Sequence, residues 1–536
     1  MEGGYVMATT ETIPHHVLTL ELKIEPFQVH IVDKHMEIGR RLYNAILGEL
    51  LKRYEQMKRT KKHQKLKRQT RAVTRLLSQY EQAKSKEGKK KFLFYTKERS
   101  SILKQIFAMQ REYGLSEYDT HDWVKSGREH FSYQPLKKNG KRSESRPRLH
   151  SAIAQTIATR AWKAFEKLLK GEAKQVHFKR YGELFSLEGK QSHTGIVFDK
   201  NTLSCAFAGL TIPVFLKKDD VYAQEALGNR LKYARIKIQT IRGKERYYVQ
   251  LILEGVAPPK RDKHTGKFKH ILGKGRVGTD IGTRSVAVVG RKNVVLQELA
   301  PTIQNLSREI RRIQRQMDRS RRSTNPQNYN ANGTVKKGRK TWAYSKRYLK
   351  LRAKLKELRR KEADNRKQEH RNLINQLVFF GDTFYVETMR FQALQKKAKK
   401  TEKSEKTGKF KRKKRFGKSI GQKAPALFVR LFEEKVTRLG GSFYKVNTQT
   451  FKASQYDHVN QNNVKKALSK RWHVFEDGTR IQRDLYSAYL LSNSNEELTQ
   501  TRQDICEEHF DSFRKMHNET IGYLRLNKIL VANAGL

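Results

Sequence analysis

The sequence predicts a multidomain α+β protein: a small β-domain carrying a helical insertion, then a C-terminal domain of alternating strands and helices. Two patterns carry this. Hydrophobic spacing changes from period two to period four and back again over the first half, and beyond residue 275 apolar strands alternate with heptad-spaced helices. A third observation concerns partners: 114 Lys and Arg stand against 53 Asp and Glu in 536 residues, a net charge of +61.

Residues 1–16 are polar and irregular. Leu18, Leu20, Leu22 and Ile24 then alternate with Thr19, Glu21 and Lys23, the pattern of a half-buried strand, which Pro26 stops. From about Lys34 the period lengthens, and Ile38, Leu42, Ile46 and Leu50 mark one face of a helix. Residues 52–91 are rich in Lys, Arg and Gln, lack Pro and hold little Gly, and are expected to form basic helices. Ile153, Ile157, Ala161, Phe165 and Leu168 line another helix, closed by Gly171. Residues 34–171 are therefore expected to be a helical lobe. Short strand-like runs over 185–216 follow. Ile236 and Ile238, a turn at Arg242-Gly243, and Tyr247, Val249, Leu251 and Leu253 then spell a hairpin. The β-domain is placed at 172–260, and the strand within 1–33 is assigned to it. Pro258-Pro259 and the basic loop to Lys274 form the clearest linker.

Val277 to Val295 is expected to fold as strand, tight turn, strand. Ile303, Leu306, Ile310, Ile313 and Met317, and then Tyr348, Leu351, Leu355 and Leu358, recur every three or four residues. That spacing predicts a helical hairpin over 302–375, with Ser323–Lys340 as its polar, basic loop. A strand at Thr383–Glu387, the charge run Lys396–Lys418, a helix near Pro425–Leu439, a Gly440-Gly441 turn, a strand at Ser442–Val446 and a helix from about Asp484 complete a domain over 261–492. Residues 493–536 are expected to be a helical tail, locally richer in acid. No solenoid repeat is present.

Composition removes several classes. Hydrophobic residues at 37%, with 25 Phe, 22 Tyr and 4 Trp, suffice for real cores, so wholesale disorder is excluded. No apolar run approaches the roughly 18 residues of a membrane span, and no secretory signal pattern is present, so a cytoplasmic protein is expected. Two cysteines, Cys205 and Cys506, cannot build a disulfide framework or a four-cysteine zinc site. One uncompensated positive charge about every nine residues calls for a polyanion, and nucleic acid is the default.

Three carboxylates stand out. Asp280 lies inside an apolar strand, in Val277-Gly278-Thr279-Asp280-Ile281-Gly282-Thr283. Glu387 ends Phe384-Tyr385-Val386-Glu387, and Asp484 opens a helix in Arg483-Asp484-Leu485. A buried carboxylate costs several kcal/mol, on the order of the penalty for any lone buried ion, unless something pairs with it. A lone one is read first as a salt-bridged structural residue, but three at element ends, about 100 residues apart, can converge on one point of a sheet. Hard divalent cations take oxygen ligands, and two Mg²⁺ ions on such a cluster suit phosphodiester hydrolysis.

Asp280 in GTDIGTRSVAVV, Glu387 in FYVETM and Asp484 in RDLYSAYLL resemble the three motifs of a RuvC-type, RNase H-like nuclease. Their order and spacing are similar to those of the TnpB proteins and the related type V CRISPR effectors. The basic hairpin ending in Arg366-Lys367-Gln368-Glu369-His370, the strand leading to Tyr43-Asn44, and Gln175–Arg180 followed by the hairpin at 236–253 resemble the same family, which covers the chain to about residue 492. The resemblance implies a β-barrel wedge domain with an inserted helical recognition lobe, and a C-terminal RuvC nuclease domain. It implies an RNA-guided DNA endonuclease that holds Mg²⁺, two ions in all, on Asp280, Glu387 and Asp484 as catalytic residues. Its partners would be a guide RNA and a target DNA, with a short motif beside the target read by the protein. It also implies a prokaryotic, nucleoid-associated setting. Two departures are present. The family's four-cysteine zinc ribbon has no counterpart in the insert at 453–482, so zinc is not expected and His458 and His473 are taken as ordinary polar residues. Tyr486 stands where the family often has Asn.

Further nucleic-acid contacts are expected from Lys179, Arg180 and Tyr181, from the run Lys411-Arg412-Lys413-Lys414-Arg415, whose bland reading is a solvated loop, and from Arg483 at the scissile phosphate. Tyr247 is read as core. Three rivals bear weighing. An RNA-guided repressor on the same scaffold would bind without cutting. An actin-like ATPase needs a second glycine-rich phosphate loop led by Asp, whereas Gly440-Gly441 follows Arg438-Leu439. A structural RNA-binding protein leaves the order of the carboxylates as coincidence.

Overall fold

The computed structural model describes residues 13–81, 85–131, 148–396, 408, 410, 416–464, 466–467, 469–532 and 534–535. The run Lys411–Arg415 lies outside the described residues. The chain divides into two compact units, Met1–Pro258 and Pro259–Leu536. No described helix is long and apolar enough to cross a membrane.

The first unit opens with β1 (His15–Leu22). Helix α1 (Pro26–Arg59) begins at Pro26 rather than near Lys34. Pro is preset for the first helical position, and the Glu25 N–H donates to Gln28 Oε1 at 3.1 Å, closing the helix start. Helices α2 (Lys61–Tyr80), α3 (Lys86–Glu112), α4 (Glu117–Gly127) and α5 (Ser151–Leu169) follow, capped in turn by Thr60, Ser85, Ser116 and His150. Next come β2 (Ser186–Glu188), β3 (Ile196–Asp199), β4 (Ser204–Phe207), β5 (Leu210–Phe215), a short α6 (Val221–Leu227) that hydrophobic spacing did not reveal, β6 (Leu231–Ile241) and β7 (Lys244–Glu254).

The seven strands form one antiparallel sheet in the order β2-β6-β7-β1-β5-β4-β3. Its edge strands β2 and β3 do not pair with each other, so among the described residues it is a curled half-barrel rather than a closed barrel. The β6–β7 turn places Arg242 and Gly243 at φ 50° and 79°, the two left-handed positions of a tight hairpin. β1 reaches the sheet's middle because its alternating Leu18, Leu20 and Leu22 enter the same core as Val249 and Leu251. Leu42 and Ile46 of α1 and Ile153, Ile157 and Phe165 of α5 complete that core. The helices inserted between β1 and β2 thus share one hydrophobic interior with the sheet.

In the second unit, residues 259–274 lead into β8 (Arg276–Ile281), β9 (Ser285–Val289) and β10 (Val294–Glu298), one strand more than the apolar pattern gave. α7 (Ile303–Thr324) and α8 (Lys346–Leu377) pack through Ile310, Ile313 and Leu358, as the heptad spacing predicts. β11 (Thr383–Thr388), α9 (Phe391–Gln395), α10 (Gly417–Lys423), α11 (Pro425–Arg438), β12 (Ser442–Asn447) and α12 (Thr448–Phe451) follow. Two small hairpins, β13 (Tyr456–Asp457) with β14 (Asn462–Asn463) and β15 (Trp472–Val474) with β16 (Arg480–Gln482), precede α13 (Arg483–Ser492) and α14 (Gln503–Leu526).

The sheet order is β10-β9-β8-β11-β12, with β10, β9 and β8 antiparallel and β8, β11 and β12 parallel. One face, with Val277, Ile281, Phe384 and Val386, packs on Leu373 and Leu377 of α8 and Phe428 and Phe432 of α11. The other, with Tyr385 and Val446, packs on Leu485 and Tyr489 of α13 and Phe513 of α14. α13 lies so close over β8 that a Cβ at Gly278 would sit 1.9 Å from the Ala488 carbonyl oxygen. The Gly278→Ala variant is expected to lose at least about 3 kcal/mol of stability, the upper end of overpacking costs, in chemical denaturation followed by the fluorescence of the second unit.

Candidate metal centre

Two elements of register build the site. β8 and β11 run parallel with Tyr385 beside Gly278 and Val386 beside Thr279, so the next residues along, Glu387 and Asp280, are neighbours. Side chains alternate across a strand, so Asp280 shares a face with Gly278 and Glu387 shares one with Tyr385, the face that α13 covers. Asp484 stands in the first turn of α13. The three carboxylates singled out in the sequence are therefore brought together, two from adjacent strands and one from the helix laid across them.

Their electrostatics show the crowding. Burial holds the Asp280 carboxyl well above its ordinary range, and the charges of Glu387 and Asp484 push it further, while Arg483 opposes them. Burial likewise lifts Glu387 to about 7, with Asp484 adding to the lift. Asp280 and Glu387 act directly on each other, which raises the first and lowers the second, so the pair holds a proton more readily than an isolated carboxylate.

Asp484 is held separately. The buried Gln482 caps α13, its Oε1 accepting from the Leu485 N–H at 2.8 Å, while its Nε2 donates to Asp484 Oδ2 at 3.3 Å. The Gln482 N–H in turn donates to His517 Nε2 at 2.9 Å. Sequence reasoning missed Gln482; its signal was a capping residue directly before the helix that carries Asp484. Arg483 Nε lies 3.7 Å from Asp484 Oδ1, and its guanidinium donates to the Lys470 carbonyl at 3.2 Å.

All the clustered donors are carboxylate oxygens, the set Mg²⁺ prefers, and a divalent cation would offset their mutual repulsion. Among the described residues no three His, Cys, Asp or Glu side chains are drawn into a ready ligand set.

The insert at 453–482 is organised without cysteine. His458 and His473 are 1% and 3% exposed, so they are core residues of the insert rather than ordinary polar ones. The Tyr486 hydroxyl accepts from the His458 N–H at 3.0 Å and meets its Nδ1 at 2.7 Å. The His473 ring stacks on Tyr486 with centroids 4.6 Å apart, and its Nε2 lies 3.1 Å from Asp457 Oδ2. Burial and the neighbouring Lys466 press His473 down to about 4, so the ring stays neutral near pH 7.

The other expected contacts belong to the first unit. Tyr43 and Asn44 hold the loop that carries them: Asn44 Nδ2 donates to the Lys179 carbonyl and its Oδ1 accepts from the Lys179 N–H, both at 2.8 Å, and Lys179 Nζ sits 5.0 Å over the Tyr43 ring. The loop thereby presents Phe178 and Tyr181, 53% and 83% exposed, with Arg180 between them. Tyr247 is core, its hydroxyl donating to Asp33 at 3.0 Å.

The sequence matches no family model and no curated protein. Among solved structures, the chain is similar to the cryo-EM structure of a Cas12f1–sgRNA–target DNA complex, with a TM-score of 0.39 and 11% identity, covering 90% of this chain and 99% of that one. It is also similar to the cryo-EM structure of a CRISPR-Cas12f ternary complex, with a TM-score of 0.26 and 11% identity, covering 87% of this chain and 82% of that one.

The raised carboxyls fix the sign of a pH effect. A carboxyl lifted by the fold leaves stability complete below its ordinary value and lost as pH rises through the lifted one. Metal-free protein is therefore expected to lose stability from about pH 4.5 to about 7, the span of the Glu387 shift. Asp280→Asn should raise the metal-free melting temperature at pH 7.5 and flatten that slope, in thermal scans with a chelator present.

Proposed function

We propose that the chain is an RNA-guided DNA endonuclease whose second unit is a RuvC-type, RNase H-like domain. The observation that carries the catalytic part is the pairing register that sets Asp280 beside Glu387 under the helix bearing Asp484. The sheet order, three antiparallel strands continued by two parallel ones, is what an RNase H-like reading requires. The guided part rests on the resemblance of the three motifs and on a charge of +61, enough to hold an RNA scaffold and a DNA together.

Asp280, Glu387 and Asp484 would hold Mg²⁺. When bound, such ions lower the pKa of a coordinated water and stabilise the leaving oxygen of a phosphodiester. This chain's own residues do the preparing. The raised Asp280 and Glu387 carboxyls would both have to be ionised to ligate. Gln482 fixes the aim of Asp484 from a buried position. Arg483 supplies a positive charge beside Asp484 without leaving the Lys470 carbonyl. In the first unit, the loop at 178–181 offers aromatic faces beside cations, a platform on which bases stack.

Purified from cells carrying its native locus, the protein is expected to retain one defined RNA with a constant part and a variable end; a random mixture of cellular RNA refutes guidance. With that RNA and a matching duplex, Asp280→Ala, Glu387→Ala and Asp484→Ala should each reduce Mg²⁺-dependent cleavage by at least about 100-fold, the scale of losing a metal ligand, with RNA affinity within about two-fold of wild type. Cleavage by Asp280→Ala at the wild-type rate would remove the site assignment. Gln482→Ala should slow cleavage by about 10–100-fold, the usual cost of a lost support to a ligand, with partial recovery at higher Mg²⁺.

A further inference from the structure

Lys435 stands in the last turn of α11 and is 8% exposed. Among the described residues its ammonium makes no ion pair and no side-chain hydrogen bond, and the charged groups that face it are cations, Arg438 and Lys260. The chain entering β8 adds more. The Lys269 N–H donates to the Lys260 carbonyl at 2.9 Å, which sets these two exposed lysines side by side. His270 follows, its ring edge-on to Phe379 at 6.4 Å and its buried Nδ1 without a hydrogen-bond partner. Lys435, Arg438, Lys260 and Lys269 all act on His270, so the five groups share one neighbourhood.

Nearby carboxylates are occupied. Glu433 pairs with Lys445 at 2.7 Å, and Glu434 lies 3.6 Å from Arg430. Asp262 is 4.0 Å from Lys269, with its carboxylate accepting from the His264 and Thr265 N–H groups. The C-terminal end of α11 contributes about half a negative charge, far less than the cluster carries. A buried lysine ringed by cations is unfavourable in the free protein, and an anion relieves it.

We propose that this cluster binds a phosphodiester of a nucleic-acid strand, with Lys435 as the buried contact and Lys260, Lys269 and Arg438 at its rim. A multivalent, linear anion suits it, because two rim lysines are exposed and stand side by side while Lys435 has most of its side chain buried. Binding at this place does not depend on whether the carboxylates cut, and its test involves no cleavage.

The test is the salt dependence of binding, in chelator, of fluorescent single-stranded RNA and of duplex DNA to the full chain and its Lys435→Met and Lys435→Arg variants. For the strand that occupies the site, Lys435→Met should reduce the magnitude of the slope of log K against log salt by about 0.7 for a single strand or about 0.9 for a duplex, and Lys435→Arg should keep it. Free of nucleic acid, Lys435→Met should melt above wild type, because an unpaired buried charge is gone. Unchanged slopes for both nucleic acids overturn the proposal, as does a slope loss accompanied by lower melting, which would mark a merely structural lysine. Inorganic phosphate raising the melting of wild type but not of Lys435→Met, with unchanged slopes, would also overturn it in favour of a free-phosphate site. Should Lys435→Met fail to fold, the exposed-rim pair Lys260→Ala and Lys269→Ala reads out the same slope.

Discussion

The second unit depends on one contact, the seating of α13 directly on the backbone of β8 at Gly278. Any side chain there would collide with the Ala488 carbonyl and the Ser492 N–H. The close approach fixes how far α13 lies above the sheet, and hence where its first turn, with Asp484, stands relative to the strand that carries Asp280. The parallel register of β8 and β11 does the rest, since a one-residue slip would turn Glu387 to the opposite face, among Phe384 and Phe432. Packing of apolar groups on both faces of the sheet therefore holds together three carboxyl groups whose charges, once ionised, repel one another.

That repulsion is the other half of the design. A chain with a charge of +61 has cations to spare, yet among the described residues the cation that acts on the carboxylate pair is Arg483, and its guanidinium is tied to a loop carbonyl. The cluster is left short of positive charge, which is the condition under which carboxyls share a proton or recruit a divalent ion. The Lys435 cluster inverts the case, with the buried Lys435 acted on by the cations Arg438 and Lys260. Both places are electrostatically incomplete in the isolated chain, one toward a cation and the other toward an anion.

Much of this was legible in the sequence because its signals are local and periodic. Alternation gave β1 and the β6–β7 hairpin, heptad spacing gave the α7–α8 pair, and an acid at the end of each of three apolar or capped segments gave Asp280, Glu387 and Asp484. What stayed hidden depends on capping or on tertiary neighbours. The start of α1 at Pro26 is set by Gln28 reaching back to Glu25, a signal carried by two residues. β10 is a short run of three apolar residues closed by polar Gln297 and Glu298, with no alternation to mark it, and α6 is too short to show a period. Gln482 and Lys435 are unremarkable letters in the chain, and only burial gives them meaning.

The insert shows the same division. Without cysteines its sequence looked inert, yet Asp457, His458, His473 and Phe475 close around Tyr486, which lies two residues past Asp484 on the same helix. A metal ribbon organises a loop through ligand bonds and can do so far from any core, whereas this cluster works by burying rings and needs α13 as its floor. The consequence is a mechanical coupling. The hairpin that ends in Gln482 and the helix that begins at Arg483 are one continuous piece, anchored on one side by Tyr486 and on the other by His517. The aim of Asp484 is thus set by the packing of the insert, and the residues that close the insert also become supports of the site.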